Sequence, residues 1–364
     1  MNRIKSVNII FLITVIVSVI GSIINSFIFS VTRNLAYIMI VSQVLIALPS
    51  LIYLKVKKID LIKGLRLHKI NIGNIVLIIL FTYLISPLMG LINILSTRVV
   101  SNSTEQIMSQ MTSENSFLVS LVLIAFVPCI LEEVVYRGVF YNEYRKVNVL
   151  KGILLSGFLF GIIHGNFNQF SYAFAMGIIF ALLIEATDSI LSTMIVHFFI
   201  NGTSVFGVYL LPKLEEFLAE FNGQEYADTA MNTSAAEKIT MGMIGSFAIY
   251  AAFTSTLAFI VFKTIAKRTG RWEFIKNILK RNQNTTDQPA LNSNQNTTDH
   301  TARLNYAMDY EDEIEMDYNR DVEYIEASSK NLISVSLVVA IVLCVILMIL
   351  NEESVIRFIQ QMQA

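Results

Sequence analysis

The sequence predicts an all-α, polytopic transmembrane helical bundle of about 8–9 spans. Three observations carry that expectation. Of the 364 residues, 54% are hydrophobic and only 15% are charged, whereas an average soluble domain is about 25% charged. Apolar runs of the length a bilayer demands, about 20 residues, recur along most of the chain. The basic residues divide unevenly between the intervening segments, as in a chain threaded repeatedly through a membrane.

The elements follow in order. The first run, near 7–30, comes after Arg3 and Lys5, as in a secretory signal. It covers about 20 or more residues and lacks an A-x-A-like cleavage site, so it reads as a retained helix. Further runs lie near 36–54, 74–96, 117–144, 150–168, 171–187, 189–211, 241–263 and 331–350. With the N-terminus in the cytoplasm, the lysine-rich loop after the second run falls inside. So do Arg137, Arg145, Lys146 and Lys151, and the basic segment that starts at Lys263. Of the 27 basic residues, only Arg33, Arg98, Lys213, Lys238 and Arg357 then fall outside. Nine spans leave the C-terminus outside.

This reading divides the chain into N-terminal transmembrane helices (1–110), a core (115–211), an acidic external loop (212–240), a span (241–263), a linker (264–330) and a C-terminal helix (331–350). The linker repeats NQNTTD at Asn282–Asp287 and Asn294–Asp299 and continues into an acidic stretch. Such a composition cannot build a core, so it is expected to be disordered. The last helix carries no charged or imidazole group over 331–350 and reads as an anchor or packing helix. The net charge of −1 suggests no nucleic-acid partner. Cys129 and Cys344 both lie in apolar runs and read as small buried hydrophobes.

The chemistry concentrates in a few ionisable groups at membrane depth. Such groups are costly there and usually serve pairing, transport or catalysis. Glu132 and Glu133 stand side by side in FVPCILEEVVYRGVFY, with Arg137 one turn on. His164 lies in the fifth run, and His197 lies in the seventh, with Asn201 one turn later. Glu143 and Glu185 sit at span ends, where solvation is the default, and His68 and His300 lie in polar loops. Glu133 and Arg137 are spaced i,i+4, with the acid first, the better order for a helical ion pair. Glu132 points about 100° away from Glu133. Pro128 removes a helical hydrogen bond four residues before Glu132. Glu132 and His164 each lie 13 residues from a basic residue at the inner face, or roughly 20 Å of helix. His197 lies at roughly 14 Å from Asp188. The three can therefore meet near mid-bilayer. A buried carboxylate with a raised pKa can act as a general base. Imidazoles can orient water or bind metal, and an asparagine amide can stabilise an oxyanion.

At these residues the chain resembles the CPBP family of intramembrane proteases, also called the Abi or type II CAAX prenyl endopeptidase-like family. The likeness rests on EEVVYR (Glu132–Arg137), FGIIH (Phe160–His164) and HFFIN (His197–Asn201), in that order, within about 115–205. The resemblance implies a catalytic cavity between the fourth, fifth and seventh spans. In it Glu132 would activate water, His164 and His197 would orient it or bind metal, and Asn201 would stabilise the oxyanion. Glu133 and Arg137 would support the site. Glu132, His164 and His197 could instead hold a divalent metal such as Zn²⁺ with an open position. The partners implied are the lipid bilayer and a peptide or protein substrate. The location implied is a bacterial cell membrane.

Two other functions fit the same fold. One is a non-catalytic bacteriocin-immunity or scaffold protein. The other is an ion- or proton-coupled transporter, but the paired broken helices it predicts are not seen. The motifs of other intramembrane proteases, such as His-Glu-x-x-His, do not occur in the sequence.

Overall fold

The computed structural model describes residues 3–100, 103–222, 240–280 and 331–363, and among them every regular element is helical. We label the helices α1 (Arg3–Thr32), α2 (Leu35–Val56), α3 (Ile72–Ser96), α4 (Ser103–Glu114), α5 (Phe117–Tyr144), α6 (Val149–Ile162), α7 (Phe167–Thr187), α8 (Ile190–Asn222), α9 (Met241–Arg268), α10 (Trp272–Lys280) and α11 (Val335–Gln363). Eight of them, α1, α2, α3, α5, α7, α8, α9 and α11, are long and apolar enough to cross a membrane. They mark an integral membrane protein.

The helix starts follow from local chemistry. Asn34, Asn71, Ser116, Asn148, Asn166 and Thr240 each accept a backbone N–H of the first turn that would otherwise lack a partner. Much of the apolar surface, such as Ile16, Ile20, Ile23 and Phe27 of α1, faces outward, as lipid contact requires. The polar backbone is satisfied inside each helix, which lets such surfaces sit in hydrocarbon.

The helices pair as α1 with α2 and α11, α3 with α9, α5 with α8, and α6 with α7. The α6–α7 contact is backbone on backbone. A Cβ on Gly177 would lie 2.5 Å from Gly157 Cα, and one on Gly161 would lie 3.0 Å from the Phe170 carbonyl. Small residues at such a seam let two helices approach closely, a common device in membranes.

This hairpin corrects the expected span over 150–168. α6 has only 14 residues, or about 21 Å of helix. It stops because Gly165 takes φ +69° and Asn166 caps the next helix, its side chain accepting from Gln169 N at 2.7 Å. α7 then returns antiparallel to α6, so that Glu185 near its end meets Arg145 just before α6 begins.

Other boundaries differ as well. α8 continues to Asn222, so the first part of the expected acidic loop is helical, and 223–239 lie outside the described residues. Most of the first part of the expected linker is ordered. α9 runs to Arg268, and α10 places Ile275 and Ile278 in the core. Both NQNTTD repeats, the acidic stretch and His300 lie outside the described residues. α11 runs past 350, and its face of Leu337, Ala340, Cys344 and Met348 is buried. Cys129 and Cys344 are both free and buried.

At the basic end, two residues expected to be solvated are buried in charge networks. Glu185 is fully buried. It accepts from Arg145 in bidentate fashion at 2.8 and 3.0 Å, from Arg66 at 2.7 Å, from Arg271 at 3.2 Å and from Tyr141 Oη at 2.9 Å. Asp188, left-handed at φ 53°, pairs with Arg66, and with His68 Nδ1 at 3.1 Å. His68 is therefore held by a carboxylate, not free in a loop. Glu143 is also buried, beside Lys146 at 3.6 Å and Arg3 at 4.0 Å. These pairs stitch four segments together, because span ends rich in arginine can bury a carboxylate that water would otherwise hold.

Candidate active site

The site is built around α5. Two wide turns interrupt its regular winding, at Leu121–Phe126 and Val134–Tyr141, and flank the segment that carries Glu132 and Glu133. Wide turns of this kind often mark functional positions. Pro128 adds a second irregularity, since in an α-helix it would leave the Ile124 carbonyl without its donor. Asn201 of α8 supplies one, as its Nδ2 donates to Ile124 O at 3.0 Å. One amide N–H of Asn201 is thus spent on α5, a tie that spacing alone does not show.

Glu133 is fully buried, as is Arg137. Their ion pair, predicted from the i,i+4 spacing, is present at 3.1 Å. The Arg137 guanidinium is also sandwiched by aromatic faces, lying 4.2 Å from the Phe160 centroid and 4.8 Å from that of Phe180. Such cation–π contacts help hold a desolvated cation.

His197 departs from the simplest expectation. It does not serve Glu132 alone but stands between the two glutamates. Its Nδ1 lies 3.0 Å from Glu133 Oε1, and its Nε2 lies 3.9 Å from Glu132 Oε2. The carboxylate accepts, so Nδ1 carries the proton and Nε2 presents its lone pair in the neutral ring. His164 is set the same way. Its Nδ1 lies 2.7 Å from the Phe160 carbonyl, which can only accept, leaving Nε2 free of that bond. His164 sits in the turn after α6, not within a span. It is within electrostatic reach of Glu132 and His197.

Phe160 is the common wall. Its ring meets His164 edge-on at 5.2 Å, His197 at 6.2 Å and Tyr136 at 5.1 Å. The Phe-x-x-x-His spacing thus brings one aromatic against both imidazoles and Arg137.

Glu132 differs from its neighbour. Its side chain is 14% exposed where that of Glu133 is 0%. Its Oε1 accepts from Gln43 Nε2 of α2 at 2.9 Å. Gln43 was missed by sequence reasoning. Its signal was a lone amide in the apolar run 36–54, without a motif around it. Phe180 was missed too, because a phenylalanine in an apolar helix carries no signal of its own.

The donor types would suit a metal: two imidazoles with Nδ1 tied down and a carboxylate. As the side chains stand, however, no three of His, Cys, Asp or Glu among the described residues gather closely enough to hold an ion.

Fold and site together describe a polytopic membrane protein with a buried, preorganised ionisable cluster. The family comparison narrows this. Residues 114–203 match the model described as Rce1-like: Type II CAAX prenyl endopeptidase Rce1-like, in agreement with the CPBP resemblance and with a CAAX-type intramembrane protease at the level of the family. The matched segment holds Glu132, Glu133, Arg137, His164, His197 and Asn201, and leaves out Gln43 and α11. No curated protein and no solved structure matches the chain.

Proposed function

We propose that this chain is an intramembrane endopeptidase of the CPBP type that hydrolyses a peptide bond in a membrane-associated peptide or protein, with water activated by Glu132. The observation that carries this reading is the gap between Glu132 Oε2 and His197 Nε2. At 3.9 Å it is too long for a direct hydrogen bond. A water molecule can sit at ordinary hydrogen-bond distance from both atoms. Glu133 and Arg137 orient the imidazole from behind.

Glu132 takes a proton from that water as its oxygen attacks the scissile carbonyl carbon. The tetrahedral oxyanion then collapses and the C–N bond breaks. Glu132 returns the proton to the leaving amine, so the products are a carboxylic acid and an amine, which exchange the acid's remaining proton to become carboxylate and ammonium. His197 orients the water through Nε2, and His164 presents a second Nε2 to the same region. The N–H of Asn201 not committed to Ile124 is the candidate oxyanion donor.

The test uses the purified full-length protein in lipid vesicles and a library of quenched-fluorescence peptides, with and without a prenylated cysteine. Cleavage is expected to fall by about 10²–10⁴-fold in Glu132→Ala, the usual worth of a general base. A large loss is also expected in His197→Ala. Undiminished cleavage by Glu132→Ala would sink the proposal.

A further inference from the structure

Glu132 is held from outside the matched segment. Gln43, 89 positions earlier on α2, donates to Glu132 Oε1. The other end of the same amide, Gln43 Oε1, is buried with no hydrogen-bond partner. A glutamine kept only to tie two helices normally has both ends satisfied, because an unpaired buried carbonyl is costly. This one leaves its acceptor over and delivers its donor to the least buried carboxylate of the cluster. The face of α2 that carries it continues through Ala47, Ser50 and Leu54, all buried. That spacing keeps one stripe of the helix against the core.

We propose that Gln43 is a positioning residue of the active site. Its N–H pins one oxygen of Glu132 so that the other faces His197 Nε2 and the attacking water. The inference rests on the peptidase reading above. The two carboxylate oxygens then have separate tasks: Oε1 is anchored by α2, and Oε2 is left for chemistry. Without the anchor the carboxylate rotates about its terminal bond, and orientation prepaid by the fold must be found anew in each turnover. α2 is thereby part of the enzyme's working core, although the matched segment begins at 114.

The experiment has two arms, both on the full-length protein in lipid nanodiscs. The first is infrared difference spectroscopy, in which subtracting the Glu132→Gln spectrum isolates the carboxylate stretch of Glu132. Gln43→Met, similar in length but unable to donate, is expected to shift that band. Ser50→Ala, on the same helix face, is expected to leave it in place. The second arm measures kcat and KM on the peptide library. Gln43→Met is expected to lower kcat by about 10- to 100-fold, as for a misplaced reacting group, with little change in KM. Gln43→Glu, which sets a second acid against Glu132, is expected to lower it further. An unmoved band, or a kcat for Gln43→Met equal to the intact protein's at equal folded fraction, overturns the inference and leaves the peptidase reading standing. If the intact protein cleaves none of the peptides, the peptidase reading falls, and this inference falls with it.

Discussion

Arg137 has the most demanding place of any single residue. It is buried, it neutralises Glu133, and its remaining surface lies on Phe160 and Phe180. Removing one partner of a buried pair leaves the other charge uncompensated, at about 3–5 kcal/mol. Arg137→Met should therefore destabilise the protein by about that amount, read as thermal unfolding in detergent. Glu133→Gln together with Arg137→Met should recover part of the loss, since the stranded charge is gone. His68 makes a different prediction. The hydrogen bond to Asp188 holds its imidazole above its ordinary range, against the burial that would lower it. A raised pKa stabilises the fold fully below the unfolded value of about 6.5 and is lost as pH rises through the folded value. Asp188 itself is held well below the usual carboxylate range, so its contribution is lost only in strong acid. Thermal stability should thus decline as pH rises above about 6.5, and the decline should flatten in His68→Gln. An equally steep decline in the variant would remove His68 from the account.

At the scale of elements, the α6–α7 hairpin presents His164 to α5. Its closeness depends on Gly157 and Gly177, whose backbones touch. An added Cβ at Gly177 would meet Gly157 Cα at 2.5 Å, and backbone cannot turn aside as a side chain can. Overpacking of this kind costs about 1–3 kcal/mol or more. Gly177→Ala should lower thermal stability by that order and reduce cleavage more than stability alone explains, because the helices that hold Phe160 and His164 must part. Wild-type stability in Gly177→Ala would show that the seam has slack. α11 bears on the same hairpin. At one end Asn8 donates to Leu332 O at 2.9 Å, and at the other Asn351 donates to Gly165 O at 2.7 Å, next to His164. The helix expected to be an anchor or packing helix thus reaches the turn bearing a site residue.

Across the whole molecule, sequence and structure agree best where physics is local. The long apolar helices and the Glu133–Arg137 pair follow from composition and helical periodicity. The features that escaped are those set by partners distant in sequence. The burial of Glu185 needs Arg66, Arg145 and Arg271 from three other segments. The 14-residue length of α6 depends on a turn at Gly165 inside a run that looks continuous. Gln43 lies in a helix without motifs, and Asn201 spends one N–H on a carbonyl that Pro128 exposes on another helix. The split between Glu132 and the Glu133–Arg137 pair was thus legible from helical spacing, but the place of His197 between the two glutamates was legible only in three dimensions.

The central claim is that Glu132 activates water for peptide hydrolysis within the membrane. The most direct test is mass-spectrometric mapping of protein N-termini in membrane fractions from cells making the intact protein or its Glu132→Ala variant at matched levels. The account predicts at least one new N-terminus, within or beside a membrane segment, that appears only with the intact protein. Identical sets of N-termini from the two would contradict it.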